Sequence, residues 1–148
     1  MKRNIRSVAE LCFIKDLITK IYPNGFVSIV SDTFNLWDVV GFILPQLKNE
    51  ILARDGKIVI RPDSGDPIKI VCGDSTSDDP FVKKGVIEIL WDIFGGTVNA
   101  KGFKELNSHI GCIYGDAITI DRCREICKQL KAKGFASTNM VFGIGLAS

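Results

Sequence analysis

Phe26-Val27-Ser28-Ile29-Val30-Ser31-Asp32-Thr33 is the stretch on which the fold turns. Its first five residues are aromatic or β-branched apart from one serine. They read as a short strand, Phe26 to Val30, buried on both faces. Upstream, Val8, Leu11, Cys12, Ile14, Leu17, Ile18 and Ile21 recur at helical spacing until Pro23-Asn24-Gly25 breaks the pattern. Downstream, helical spacing returns from Leu36 to Leu52, and a second β run covers Lys57 to Ile60. Two such strands joined by a helix form a parallel βα unit, because parallel neighbours need a long crossover.

The same alternation continues outward. Phe81 to Phe94 is helical, with Val82, Val86, Ile89, Leu90 and Ile93 on one side. Ile110 to Tyr114 is a third β run, Ile118 to Leu130 a further helix, and Asn139 to Phe142 a fourth β run. The order α-β-α-β-α-β-α-β predicts an α/β fold of about four βα units in one domain, residues 1–148. Arg61 to Pro80 reads as irregular. Gly95 to Ser108 reads as a small excursion or hairpin marked by Gly95-Gly96 and Lys101-Gly102.

Composition narrows the function classes. Of 148 residues, 46% are apolar, which excludes disorder and supports a real core. Lys and Arg number 19 against 17 Asp and Glu, a net charge of only +2, which argues against nucleic-acid binding by bulk charge. No apolar run reaches the roughly 18–20 residues of a membrane helix. The basic Met1-Lys2-Arg3-Asn4 is followed by Glu10, Lys15 and Asp16, unlike a secretory leader. The five cysteines, Cys12, Cys72, Cys112, Cys123 and Cys127, are read as reduced core residues of a cytoplasmic protein.

Each β run ends in a compact polar or glycine motif: Ser31-Asp32-Thr33, Arg61-Pro62-Asp63-Ser64-Gly65-Asp66-Pro67, Gly115-Asp116, and Gly143-Ile144-Gly145. Carboxyl ends of parallel strands form the functional face of α/β proteins, so these four corners are expected to share a pocket. Asp32, Asp63 and Asp116 offer acceptors for sugar hydroxyls or a metal ion. Arg61 suits phosphate or an aromatic ring, and the glycines admit backbone amides to an oxyanion. The set suggests a phosphorylated sugar. A plainer reading stands beside it: Asp32 can be a helix N-cap, and Asp116 competes with Thr119 and Asp121 for that role.

Other constellations carry less. The single histidine, His109, begins a strand and lacks partners for a zinc site or a triad. Cys123 and Cys127 share a helix face without a second ligand pair, which favours packing. No phosphate-binding G-x-x-x-x-G-K-[ST] is present, and Gly143-x-Gly145 lacks the third glycine of a dinucleotide turn. Asp74 to Asp79 reads as a solvated loop, and Trp37 and Trp91 as core residues.

Taken together, Gly25 to Phe34, Arg61 to Pro67, Gly115-Asp116 and Val141 to Gly145 resemble the nicotinamide phosphoribosyltransferases and their nicotinate-using relatives, most of all the bacterial and phage branch. The likeness runs in order from about residue 8 to 145. It implies part of an irregular parallel α/β barrel of the type II phosphoribosyltransferase kind. It also implies joining of nicotinamide to phosphoribosyl pyrophosphate, giving nicotinamide mononucleotide and pyrophosphate, with Mg2+ assisting and the site at a homodimer interface. By this resemblance Arg61 contacts the ring and phosphates, and Asp63 the ribose hydroxyls. Gly115 and Asp116 face the ribose and its 5′-phosphate, Gly145 and the backbone of Leu146 belong to a phosphate loop, and Asp32 lies near the ribose or the metal.

Family enzymes are much longer, so the chain is expected to be a piece holding the ribose-phosphate half of the site and to be inactive alone. Four β runs do not close a barrel of about eight strands, which predicts oligomerisation or poor solubility. The alternatives are a nicotinate phosphoribosyltransferase relative, or a non-catalytic module for nucleotide binding or assembly.

Overall fold

The computed structural model describes residues 5–31, 33–62, 66–114 and 120–142. Helix α1 (Ile5–Asp16) runs on into a π-helical turn, Leu17–Ile21, which ends where Tyr22 N–H donates to the Leu17 carbonyl at 2.7 Å. Strand β1 (Val27–Ser31) follows. The crossover from it contains α2 (Thr33–Asp38), a π-helical turn (Val39–Ile43), α3 (Leu44–Gln46) and α4 (Lys48–Ala53). The stretch expected to be helical, Leu36 to Leu52, is helical apart from Leu47, whose φ of −103° and ψ of 10° depart from helical geometry. Pro45, which has no N–H to give, sits where the turn geometry changes.

Strand β2 (Ile58–Pro62) leads to α5 (Pro67–Cys72), a helix inside the stretch read as irregular. Asp66 caps it, its carboxylate accepting from Ile68 N–H at 3.0 Å, with Pro67 in the first turn. The next helical segment is two helices, α6 (Pro80–Lys84) and α7 (Val86–Phe94), parted by Gly85. Strands β3 (Gly96–Val98) and β4 (Lys104–Leu106) form the expected antiparallel hairpin. Strand β5 (Ile110–Tyr114), α8 (Ile120–Ala132), a 3-10 turn (Ser137–Asn139) and β6 (Met140–Phe142) complete the described residues.

The main sheet has the order β1-β2-β5-β6 and every pairing in it is parallel. The α/β expectation and its four βα units are borne out. Val27, Ile29, Ile58, Ile60, Ile110, Cys112 and Met140 lie on one face and join a buried cluster with Leu36, Val39, Leu90, Ile126 and Leu130 from the helices. Alternation puts Ser28, Val59, Arg61, Gly111 and Ile113 on the other face. That face is mixed: Val59 is buried, Arg61 and Ile113 are half-buried, and Ser28 is exposed.

Several burial expectations change. Phe26 is 64% exposed and lies just outside β1, so that run is not buried on both faces throughout. On α1 and its last turn, Ile14 and Ile18 are buried, but Val8, Cys12 and Ile21 are exposed. Cys72 and Cys112 are core residues as expected, whereas Cys123 and Cys127 are only half-buried. Among the described residues no helix is long and apolar enough to cross a membrane.

Candidate functional site at the carboxyl edge of the sheet

Parallel register fixes where the strands end. Ser31, the last residue of β1, pairs with Pro62, the last of β2. Tyr114, the last of β5, pairs with Phe142, the last of β6. Ile60 pairs with Cys112, so two residues further on Pro62 comes beside Tyr114. All four strands thus stop along one edge. Each polar corner singled out in the sequence begins within two residues of one of these ends.

Arg61 is the one expected site residue among the described positions. It is the fourth residue of β2, opposite Val30, and its half-buried side chain is on the face away from the helix-packed core. Asp32, Asp63, Gly115, Asp116, Gly145 and Leu146 lie outside the described residues. The Arg61 to Pro67 motif divides by role at its ends: Arg61 and Pro62 finish a strand, while Asp66 and Pro67 start a helix.

A second cation shares the face of Arg61 and was not singled out in the sequence. Lys57 is four residues before Arg61, hence on the same side of the pleat. Its Cε lies 2.7 Å from the position a Cβ on Gly111 would take, so its aliphatic stem crosses the space that this glycine leaves free. The readable signal was the period-2 spacing Lys57-Val59-Arg61 next to a glycine in the neighbouring β run.

The remaining candidates resolve as structural devices. His109 precedes β5, and its ring Nδ1 and backbone N–H both lie within 2.9 Å of the Asn107 side-chain oxygen, a turn contact. Asp74 and Asp79 belong to a loop that organises itself. Thr76 donates to Asp74 and holds its carboxyl below the usual range, and Asp79 caps α6. Trp91 packs edge-on against Phe135 with ring centres 6.0 Å apart, a core contact. No group of three or more His, Cys, Asp or Glu side chains among the described residues could hold a metal ion.

The sequence model of the nicotinate phosphoribosyltransferase (NAPRTase) family matches residues 15–147. The chain belongs to that family. Its similarity to a nicotinamide phosphoribosyltransferase of Acinetobacter baylyi is 49% identity over 143 residues, covering 92% of this chain and 28% of the relative. A protein of the same name from Mycoplasma pneumoniae is 44% identical over 137 residues, 92% of this chain and 30% of the relative. One from Mycoplasma genitalium is 38% identical over 136 residues, with the same coverage of 92% and 30%. The chain thus spans under a third of the length of these curated relatives. Membership accounts for the four parallel strands with polar corners at one edge.

Proposed function

We propose that this NAPRTase-family chain carries the ribose-phosphate part of a nicotinamide phosphoribosyltransferase site. The reaction would join nicotinamide to phosphoribosyl pyrophosphate, giving nicotinamide mononucleotide and pyrophosphate, in a cytoplasmic route to pyridine nucleotides. One observation carries the reading: the polar corners start from the ends of four adjacent parallel strands at one edge of the sheet.

In such a transfer the pyridine nitrogen attacks the anomeric carbon while the bond to pyrophosphate breaks. Positive charge builds on the ribose before the new bond is complete. Asp63 and Asp116 would face that charge and the ribose hydroxyls, and carboxylates act there only when held in place before the reaction. Arg61, on the strand rather than on the loop, would contact the nicotinamide ring and a phosphate. Gly115, Gly145 and the Leu146 backbone would offer amides to phosphate oxygens. Asp32, Asp63 and Asp116 are hard oxygen donors following adjacent strands, the donor type magnesium takes together with substrate phosphates. Magnesium held there would neutralise the departing pyrophosphate. The same reading makes residues 1–148 one α/β unit of the family's barrel domain and a homodimer the assembly.

A second reading has its own support: the matching family is described by nicotinate, whereas the relatives are named for nicotinamide. Titration of the chain with each mononucleotide separates them. Binding of nicotinamide mononucleotide is expected to weaken about tenfold or more in Asp63→Ala and in Asp116→Ala, the loss of one charge-assisted hydrogen bond each. Unchanged binding in both variants would refute the assignment. Tighter binding of the nicotinate form would move it to the second reading. Given the share of the relatives that the chain spans, binding without turnover is expected from it alone, and product formed by the isolated chain would contradict this.

A further inference from the structure

All-parallel sheets are normally covered on both faces. Here the helix cluster claims one face only, and the other carries the apolar Val59 and Ile113 together with Lys57 and Arg61. Both edges of the sheet are open as well. Among the described residues β1 pairs only with β2, and β6 only with β5. The Val27 N–H donates to the Lys57 carbonyl, so alternation turns the backbone groups of Ser28 and Val30 outward, away from β2.

The helices form a row with two unfinished ends. Each crossover covers the gap between the strands it joins: α2 to α4 between β1 and β2, α5 to α7 between β2 and β5, and α8 between β5 and β6. Helix α1 packs on the π-helical turn of the first crossover and so takes the place before β1. Its solvent side is apolar, with Val8, Cys12 and Phe13 exposed, and Ile21, Tyr22 and Phe26 are exposed where it runs on into β1. At the other end of the row, α8 leaves Ile120 exposed beside an open groove of about 840 Å³, which Phe103, Cys123 and Cys127 also line.

We propose that two copies of this chain close one eight-stranded parallel barrel, β6 of each copy pairing with β1 of the other. A closed α/β barrel takes eight strands, and each copy brings four in a single parallel order. The contact joins unlike surfaces and closes after two copies, so no edge is left for further growth. In the ring, α1 stands outside the gap between its own β1 and β6 of the other copy, against α8 of that copy. The row of helices then continues without a break. Val59 and Ile113 become interior residues, Lys57 and Arg61 lie toward opposite mouths, and the carboxyl edges of both copies form one rim. The area suffices. Phe13, Tyr22 and Phe26 are 57–64% exposed, which for aromatic side chains offers roughly 350 Å² per copy. Closure makes the contact twice, and with the facing surfaces the total is about 1,400 Å², the size of a stable interface. The inference rests on the sheet and its edges and goes beyond the phosphoribosyl reading.

Native cysteines supply the readout. Within one copy, Cys12 on α1 and Cys123 and Cys127 on α8 are three helix spacings apart, about 25 Å, beyond a short cross-linker. Closure brings α1 against α8 of the other copy. Isotopically labelled and unlabelled full chains are refolded together, treated with a short bismaleimide and read by peptide mass spectrometry, with sedimentation velocity at about 10 μM. The expected result is a species of two chains, with links from Cys12 to Cys123 or Cys127 that join labelled to unlabelled copies. Phe13→Glu lies on exposed surface, so the far-UV circular dichroism is expected to stay unchanged. The dimer Kd is expected to rise at least about a hundredfold, because the ring holds that position twice. A monomer at that concentration overturns the proposal and leaves these surfaces to another polypeptide. Species larger than two chains, dimers linked Cys12 to Cys12, dimers without the Cys12 to α8 link, or dimers that survive both Phe13→Glu and Val8→Glu overturn it too.

Discussion

Arg54 is the residue whose loss should most directly loosen the junction where β1 and β2 enter the sheet, opposite the carboxyl edge of the candidate site. It is 8% exposed and lies in the link between α4 and β2. Its guanidinium donates to the carbonyls of Tyr22 at 2.6 Å, Gly25 at 2.9 Å and Ile18 at 3.4 Å. Those carbonyls belong to the end of α1 and the turn into β1, so one side chain ties the entry of β1 to the entry of β2. The backbone bond from Gly25 N–H to the Asp55 carbonyl, 2.7 Å, lies beside it. Two short charge-assisted hydrogen bonds at roughly 1.5 kcal/mol each amount to about 3 kcal/mol. Burial opposes this by pulling the Arg54 pKa down, with Asp55 partly restoring it, so a charge that is costly to bury is being held. Arg54→Met keeps the aliphatic stem, removes that cost and leaves the carbonyls unserved. The net loss is expected at about 2 kcal/mol, or roughly 4–8 °C in Tm. Urea unfolding followed by circular dichroism measures it, and hydrogen exchange at the Val27 amide, bonded to the Lys57 carbonyl at 2.9 Å, reports on the strand junction. Arg54→Lys should recover only part of the loss, because an ammonium cannot reach all three acceptors in one plane. A loss below about 0.5 kcal/mol, or full recovery by lysine, would refute the reasoning.

Two further outcomes follow from backbone closeness and from buried thiols. Gly85 has φ +83° and ψ 165°, and a Cβ there would meet the Gly73 nitrogen at 2.3 Å, so Gly85→Ala is expected to destabilise by about 3 kcal/mol in the same unfolding assay. A loss under about 1 kcal/mol would mean that the two helix ends can separate freely. Burial pushes the Cys72 thiol from 9.0 to about 12, and the Cys112 thiol also upward. A raised thiol pKa keeps the proton on the folded state after the unfolded chain has lost it. Stability should therefore fall as pH rises above about 9, by at most roughly 1.4 kcal/mol per pH unit per thiol. Urea midpoints between pH 8.5 and 10.5 should show a shallower slope in Cys72→Ala, and an identical slope would exclude this source.

The sheet was legible because its strands are short apolar runs bounded by turn residues. Ile110 to Tyr114 was read to the residue, and the other three within one or two. What periodicity misread depends on contacts from elsewhere in the chain. The stripe of α1 marks an apolar face, yet only Ile14 and Ile18 are buried, because the pattern does not say how wide a neighbour will cover it. Cys123 and Cys127 are expected to pack, and Cys123 does pack against the edge of the core, but both are half-buried and also line a groove. The split at Gly85 was hidden because a helical repeat passes through a glycine without registering its positive φ. The helix at Pro67 was overlooked for a different reason: Asp66-Pro67 is a start signal, but it stood inside a polar stretch read as one motif.

The same distinction explains how far the candidate site could be read. A parallel sheet forces all carboxyl ends to one edge, so adjacency of the four corners follows from strand order and does not require knowing any side-chain position. That is why residues as distant in sequence as Ser31 and Phe142 could be assigned to one edge before any contact was known. Adjacency says nothing about which polar residues at the corners are capping devices, and Asp66 shows how easily a cap lies within a functional-looking motif. Face is the better discriminator. Arg61 and Lys57 are on the side of the sheet that the helix cluster does not claim, with Gly111 making room between strands. A cation kept off the core face by strict alternation is held there by the strand itself. A one-residue slip of β2 would move Arg61 toward the buried cluster and expose Ile60 or Pro62, a change the apolar packing opposes. The hydrophobic register that stabilises the sheet therefore also orients the one described residue of the proposed site.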